Sequence, residues 1–347
     1  MSATASPAAP FLVTMGEPAG IGGELTLMAW RAAQARRLPP FATIDDAKRL
    51  EALARKIAID VPIIPISAPD EAIPVFAKGL PVLDQPLTAP VAPGVPEPGN
   101  APQVIGAIER AVAMTLNGEA AGLITNPIHK ESLYAAGFTA PGHTEFLAHT
   151  IAALTHRPPR SPVMMLTARD LKVVPVTIHQ PLKDAIATLS TPMIVEAARI
   201  TAAALRQDFA LDTPRLAVAG LNPHAGEGGT LGREEIDIIT PAVTELRGQG
   251  LRVEGPFPAD TLFHDAARKA HDAVLCMYHD QALIPVKTID FWGGVNVTLG
   301  LDIVRTSPDH GTAFALAGTG KANPESFFAA LCLAAEIAGN RARHGRG

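Results

Sequence analysis

The sequence predicts an α/β protein built on a largely parallel sheet, and three observations carry that prediction. Short apolar runs of strand length alternate with segments of helical period along most of the chain. Many of these runs end at glycine, proline or histidine, where a strand hands over to a loop. The chain has 347 residues, 47% of them hydrophobic, which is too much for one ordinary core. Two lobes are therefore expected.

The elements follow in order. MSATASPAAP has neither a basic start nor a long apolar stretch, so it reads as a disordered lead-in and not a signal peptide. FLVTM (11–15) reads as a first buried strand, followed by GEPAGIGGE and a helical pattern through TLMAWRAAQARR. VPIIPI (61–66) suggests a second strand. The proline-rich stretch 79–103 reads as a surface excursion of the first lobe. VIGAIERAVAMTLNG is a helix with a glycine stop, and AAGLIT (120–125) a buried strand. PVMMLT, LKVVPVTI, RLAVAGL, LRVEGPF and DAVLCMY read as later strands, with helices at 191–208 and 232–249 among them. The end, from NPESFF onward, is one amphipathic helix with a basic, frayed tail. The first lobe is drawn as 1–145 plus 306–347 and the second as 146–305, with the site expected in the cleft between them.

Composition excludes several classes. The net charge of −5 gives no basic footprint, which argues against nucleic acid as a partner. Two tyrosines and two tryptophans are too few for a surface that stacks single strands. Two cysteines, Cys276 and Cys332, cannot form a disulfide framework, and a reducing, cytoplasmic setting is expected. No apolar run is long enough to span a membrane.

Three histidines stand out. His179 in VTIHQPL, His224 in GLNPHAGEGG and His279 in CMYHDQ each follow an apolar, strand-like run. Open α/β sheets gather ligands just past strand carboxyl ends. Three imidazoles with an open fourth position make a catalytic metal centre. Asp260 and Asp280 could join the metal shell, orient a histidine, or merely cap a helix or turn.

Other segments suggest anion recognition. Lys287, Asn296 and Arg305 lie nine residues apart in β-like runs, and an ammonium, an amide and a guanidinium suit a phosphate. They could equally be solvated strand ends. In PGHTEFLA (141–148) Pro-Gly sets a turn and His143 with Thr144 opens a helix, either as an anion site or with Thr144 as a simple cap. SPDHGTAFALAGTGKANP (307–324) offers small residues with His310, Gly311, Thr312 and Asn323 in a close-approach loop. No GxGxxG follows any strand, so a dinucleotide would not be held in the Rossmann way.

Together, MGEPAGIG, TNPIHK, PGHTEFLA, VTIHQPL, GLNPHAGEGGTLGREE, GPFPADTLF, MYHDQALIPVKT, GGVNVTLGLDIVRTSPDHGTAFALAG and KANP resemble the 4-hydroxythreonine-4-phosphate dehydrogenase family, the PdxA enzymes of pyridoxal phosphate biosynthesis. The pieces run in order from residue 15 to 324. Two positions depart from the family pattern: Glu17 stands where Asp is usual, and Gly23 where Pro is usual.

The resemblance implies a two-lobed α/β/α fold like that of isocitrate and isopropylmalate dehydrogenases, working as a homodimer with the active site near the interface. It puts metal ligands on His179, His224 and His279 and substrate contacts on His143, Thr144, Lys287, Asn296 and Arg305. His310, Gly311, Thr312 and Asn323 would neighbour NAD or NADP. One divalent metal (zinc, magnesium or cobalt) would polarise the 3-hydroxyl of 4-phosphooxy-L-threonine while the dinucleotide takes its hydride. The β-keto acid would then lose CO₂ to give 3-amino-2-oxopropyl phosphate. Asp260, Asp280 or Lys287 could accept the proton. Rival readings are a dehydrogenase of 4-phospho-threonate, erythronate-4-phosphate or a cyclic dihydrodiol, a metal-dependent hydrolase, and a non-catalytic phosphate-binding protein.

Overall fold

A computed structural model describes residues 9–344 apart from 136, 139 and 141. The expected lead-in falls largely outside these residues; of the expected frayed tail only 345–347 do, the rest continuing the last helix to His344. Along the chain, β1 (Phe11–Thr14), α1 (Gly22–Arg36), β2 (Phe41–Asp45), α2 (Ala47–Lys56), β3 (Ile63–Ile66), α3 (Ala72–Val75), β4 (Leu80–Asp84), α4 (Ala101–Leu116), β5 (Gly122–Thr125), α5 (Lys130–Ala135) and α6 (His143–Thr155) come first. Next come β6 (Val163–Ala168), β7 (Leu171–Pro175), α7 (Leu182–Thr188), α8 (Thr191–Gln207), β8 (Arg215–Ala219), α9 (Thr240–Gly248), β9 (Arg252–Phe257), α10 (Asp265–Ala270), β10 (Ala273–Cys276) and α11 (His279–Ile289). The last elements are β11 (Val295–Leu299), β12 (Arg305–Pro308) and α12 (Glu325–His344).

The chain divides into two units. The first comprises residues to Pro162 and Leu301–Ala342. Its strands run in the order β3-β4-β2-β1-β5-β12, every pair parallel. Parallel strands need covered faces and therefore read as apolar runs. Leu12, Ile44, Leu83 and Leu123 of the strands share a core with α4 and α6. In α4 the buried side chains Val104, Ala107, Ile108, Ala111 and Val112 recur at helical spacing, with Pro102 in the first turn where its missing N–H is not needed. Ile108 is fully buried, so Ile108→Ala would cost about 2–5 kcal/mol.

The proline-rich stretch is not wholly a surface excursion. Its first residues form β4, which sits between β3 and β2 with Leu80, Val82 and Leu83 fully buried. The three apolar side chains outweigh the proline beside them.

The second unit comprises Val163–Gly300. Its strand order is β11-β6-β7-β10-β8-β9. The four strands β7, β10, β8 and β9 are parallel, whereas β6 runs antiparallel to both β7 and β11. The reversal has a local cause. Only Arg169 and Asp170 separate the paired residues Ala168 and Leu171, and a two-residue turn can join antiparallel strands alone.

Lys287 is not in a β-like run as expected; it belongs to α11. The reason is periodicity. Ala282, Val286 and Ile289 fall on one helical face, which packs on β6 and β7. Pro285 is carried inside this helix.

The units divide at 162/163 and 300/301, not at 145/146 and 305/306. All of α6 stays with the first unit because Leu147 and Ile151 are buried in the core that α4 builds. Among the described residues no helix is long and apolar enough to cross a membrane.

Candidate functional site

In the second unit the three singled-out histidines follow β7, β8 and β10. These strands are neighbours in the order β7-β10-β8 and are parallel. Their carboxyl ends therefore lie side by side, as the sequence pattern suggested.

Each loop has a defined conformation. His279 is the first residue of α11. His179 has φ of 50°, in the left-handed region. His224, Ala225, Gly226, Glu227 and Gly228 are all left-handed in succession. Such a backbone costs a non-glycine residue about 1–2 kcal/mol, so the surroundings must enforce it. Glu235, buried, does so: its Oε1 accepts from the amides of Leu221 and Asn222, at 2.7 Å each. Its Oε2 accepts from Asn222 Nδ2 at 2.9 Å.

Two further side chains tie the strand ends together. Gln281 accepts from the Met277 amide (2.6 Å) and donates to Gly220 O (2.8 Å), linking the loops after β10 and β8. Thr177 donates to Met277 O (2.7 Å), linking those after β7 and β10. The sequence reading missed Thr177, Glu235 and Gln281, because nothing local marks them; GREE after the histidine loop was the nearest signal.

The rings of His179 and His279 are 5.9 Å apart between centroids. His279 Nδ1 donates to Asp280 Oδ1 at 2.8 Å, and His224 Nδ1 donates to Glu227 Oε2 at 3.1 Å. A carboxylate on Nδ1 fixes the tautomer and makes Nε2 the metal-facing nitrogen. Asp280 therefore orients a histidine; the helix it could have capped has Tyr278 at its N-cap with no side-chain bond. The donor set suits a borderline divalent cation. However, among the described residues no group of three histidine, cysteine or acidic side chains could hold one ion. The three expected histidine ligands are therefore not gathered into one three-ligand group among the described residues. His224, on its strained loop, stays 71% exposed beside Glu227.

Asp260 lies exposed in a short turn after β9, and this turn packs on the His224 loop. Lys287 Nζ sits over the Phe291 ring, 5.3 Å from its centroid. Asn296 is in β11, opposite Leu166, and its Oδ1 is buried with no hydrogen-bond partner among the described residues.

The first unit carries the other candidates. Arg305, on β12, is 4% exposed, and its Nε and Nη2 both donate to Thr125 Oγ1, at 3.1 and 2.6 Å. Burial pushes its pKa down to about 10, against the attraction of Glu145. It remains a cation at neutral pH. Neither it nor Asn296 is a solvated strand end.

His143 opens α6 behind Gly142, which serves as N-cap without a side-chain bond. Thr144 is therefore not the cap. Pro141, half of the expected Pro-Gly turn, lies outside the described residues. His143 Nε2 is buried with no hydrogen-bond partner among the described residues. Burial first, and then the charge of Arg305, hold this imidazole well below the ordinary histidine range. A buried cation near a neutral imidazole is chemistry that suits an anion also carrying a hydroxyl.

The 309–323 loop is packed against the loop after β1. Ile21 N donates to Thr312 O at 3.1 Å. His310 Nδ1 donates to Gly311 O at 3.0 Å, and Asn323 Oδ1 accepts from Glu325 N at 3.0 Å at the start of α12. Asn323 thus spends its oxygen on the helix start, and Gly311 is exposed.

The two departures lie close together near α1. Glu17 is buried and accepts from Ala19 N at 3.0 Å; burial raises its carboxyl pKa. A Cβ on Gly23 already stands 3.0 Å from Arg49 Nη1, so the larger proline ring would crowd the guanidinium that pairs with buried Asp45 at 2.7 Å.

The sequence profile of the pyridoxal phosphate biosynthetic protein PdxA matches residues 38–334. The chain belongs to the PdxA family. A 4-hydroxythreonine-4-phosphate dehydrogenase of Caulobacter vibrioides is 54% identical over 332 residues, which cover 96% of this chain and 98% of that one. The crystal structure of 4-hydroxythreonine-4-phosphate dehydrogenase from Klebsiella pneumoniae superposes with a TM-score of 0.82 at 37% identity, covering 95% of this chain and 99% of that chain. A terephthalate 1,2-cis-dihydrodiol dehydrogenase from Burkholderia xenovorans is more distant, at 28% identity and a TM-score of 0.62, over 95% and 98% of the two chains. The family resemblance read from the ordered motifs therefore stands, and with it a mixed α/β dehydrogenase acting in pyridoxal phosphate biosynthesis.

Proposed function

We propose that this PdxA-family chain oxidises 4-phosphooxy-L-threonine with NAD or NADP and a divalent metal, and that the resulting β-keto acid decarboxylates to 3-amino-2-oxopropyl phosphate. The observation that carries this reading is the near-complete, 54% identical match to a 4-hydroxythreonine-4-phosphate dehydrogenase. The finer fold assignment, the two-lobed isocitrate/isopropylmalate-dehydrogenase type, belongs to the same proposal.

In this reading His179, His224 and His279 would hold the metal, which when bound would supply Lewis-acid activation of the substrate hydroxyl, and His310, Gly311, Thr312 and Asn323 would border the dinucleotide, whose chemistry would be hydride acceptance. Asp280 and Glu227 keep two of the imidazoles in the ligating tautomer. Arg305, Lys287, Asn296, His143 and Thr144 are the residues that recognise the anionic substrate. Phosphate is remote from the reacting carbon, so its contacts contribute orientation. Because Asp280 is engaged with His279, Lys287 and Asp260 remain as the candidate proton acceptors. The incomplete histidine set in one chain and the exposed Ile284, Phe291 and Trp292 of the second unit support a homodimer in which both copies serve each site.

The test mixes the protein with 4-phosphooxy-L-threonine, Zn²⁺, Mg²⁺ or Co²⁺, and each dinucleotide, and follows reduced nicotinamide and CO₂. Both should appear together. Phosphate release without nicotinamide reduction would instead mean a hydrolase, and faster turnover of 4-phospho-threonate or erythronate-4-phosphate would move the substrate assignment. Binding without any turnover would leave a phosphate-binding protein.

A further inference from the structure

Helix α1 and the 312–320 loop exchange hydrogen bonds in an unusual way. Glu24 is the third residue of α1, whose N-cap is Ile21. At that position a glutamate ordinarily turns back to accept from its own N-cap amide, closing a capping box. Here the Ile21 amide donates instead to Thr312 O, at 3.1 Å. The Glu24 carboxylate is thereby left for other donors. It is fully buried, and its two oxygens each accept a loop amide: Oε1 from Gly318, and Oε2 from Gly320 at 2.9 Å.

The loop is shaped for this contact. Gly318 and Gly320 have φ of 73° and 69°, a conformation that side chains resist. A Cβ on Gly318 would also stand 2.8 Å from Pro93. Ala313 is left-handed as well, at 46°. A loop of such conformations does not hold itself. Three bonds from one helical turn grip it at both ends, and a carboxylate bonded to amides forms the strong kind.

We propose that Glu24 is a positioning residue for the nicotinamide dinucleotide: it keeps the 312–320 loop in the one form that can border the cofactor. The proposal rests on the reading that His310, Gly311, Thr312 and Asn323 neighbour that cofactor. Glu24 touches no reacting atom in this scheme. It acts by setting the fraction of molecules whose loop is competent, and apparent affinity falls in proportion to that fraction.

The experiment compares the full-length wild type with Glu24→Gln, which keeps the shape but turns an NH₂ toward one loop amide. Dissociation constants for NAD⁺ and NADP⁺ are measured by calorimetry, and amide hydrogen exchange is followed across residues 312–321. The expected result is a dinucleotide Kd raised about tenfold or more and faster exchange in the loop. KM for 4-phosphooxy-L-threonine at saturating dinucleotide should stay within about twofold, as a role confined to the dinucleotide requires. A lower melting temperature with wild-type dinucleotide Kd would mean that Glu24 is merely structural, and would overturn the proposal. If the wild type itself binds neither dinucleotide, the cofactor reading falls and takes this inference with it. Should Glu24→Gln not fold, exchange in the wild type decides. Gly318 and Gly320 amides protected in the free protein, and more so with dinucleotide, support the proposal; exchange at the unstructured rate refutes it.

Discussion

At Arg305 a guanidinium sits almost out of reach of water, bonded twice to one threonine hydroxyl. Removing it from water costs free energy that an anionic ligand would return. Arg305→Ala should therefore raise KM for the phosphorylated substrate at least about tenfold, with a smaller effect on dinucleotide KM, as expected for a charge-assisted contact; steady-state kinetics with each ligand varied in turn checks this. A uniform rise in both constants would argue against a phosphate contact. His143 gives a second prediction at this scale. Its folded pKa lies below the unfolded 6.5, so the unfolded chain binds more protons in the window between the two values. Stability must then fall as pH drops through 6.5 toward the folded value. His143→Gln should flatten that part of the melting temperature–pH curve. Glu17 and Asp45, whose carboxyl pKa values burial raises, contribute the opposite slope to both proteins, so the difference between the curves isolates His143.

Among the elements, the loop after β8 depends most on something outside itself. Five left-handed residues in a row around His224 are kept in place by Glu235. Glu235→Ala would leave two amides without their acceptor, at about 1–3 kcal/mol each. Metal affinity should fall about 10–100-fold, as read by zinc titration with a chromophoric chelator, while the rest of the second unit keeps its circular dichroism. His224→Ala should abolish metal retention altogether; full metal content in that variant would remove His224 from the ligand set. Strand positions were the most legible part of the sequence, because parallel strands buried on both faces are continuous apolar runs. FLVTM, AAGLIT, RLAVAGL and DAVLCMY all mark real strands. What was less legible had competing local signals. Pro81 hid β4, and Pro285 with β-branched neighbours disguised α11 as a strand. The segment 41–56 was passed over, although it forms β2 and α2. Of the candidate site, the histidines, Arg305 and Asn296 stand out in the sequence because each follows or sits within such a run. Thr177, Glu235, Gln281 and Glu24 were not, because their partners are distant in sequence and only the fold brings them together.

For the whole molecule, the expected assembly is a pair of chains. Ile284, Phe291 and Trp292 expose 65%, 58% and 56% of their surfaces in the second unit, and large exposed apolar groups of this kind mark interaction surfaces. Sedimentation should give about twice the 36.3 kDa chain mass for the wild type. Trp292→Asp should shift the protein toward single chains and lose turnover with it; a fully active monomer would sink the shared-site reading. One architectural detail bears on how such a protein can vary. β10 is the middle of the three strands that bear the metal-candidate histidines, and Cys276 at its end is wholly enclosed, with burial pushing its thiol far above the usual range. Side chains stand off the face of a sheet, so a bulkier one there would press into the core that β10 shares with Ala282 and Val286 of α11. The smallness of one buried thiol thus helps set where α11, and with it His279 at its first turn, rests on the sheet.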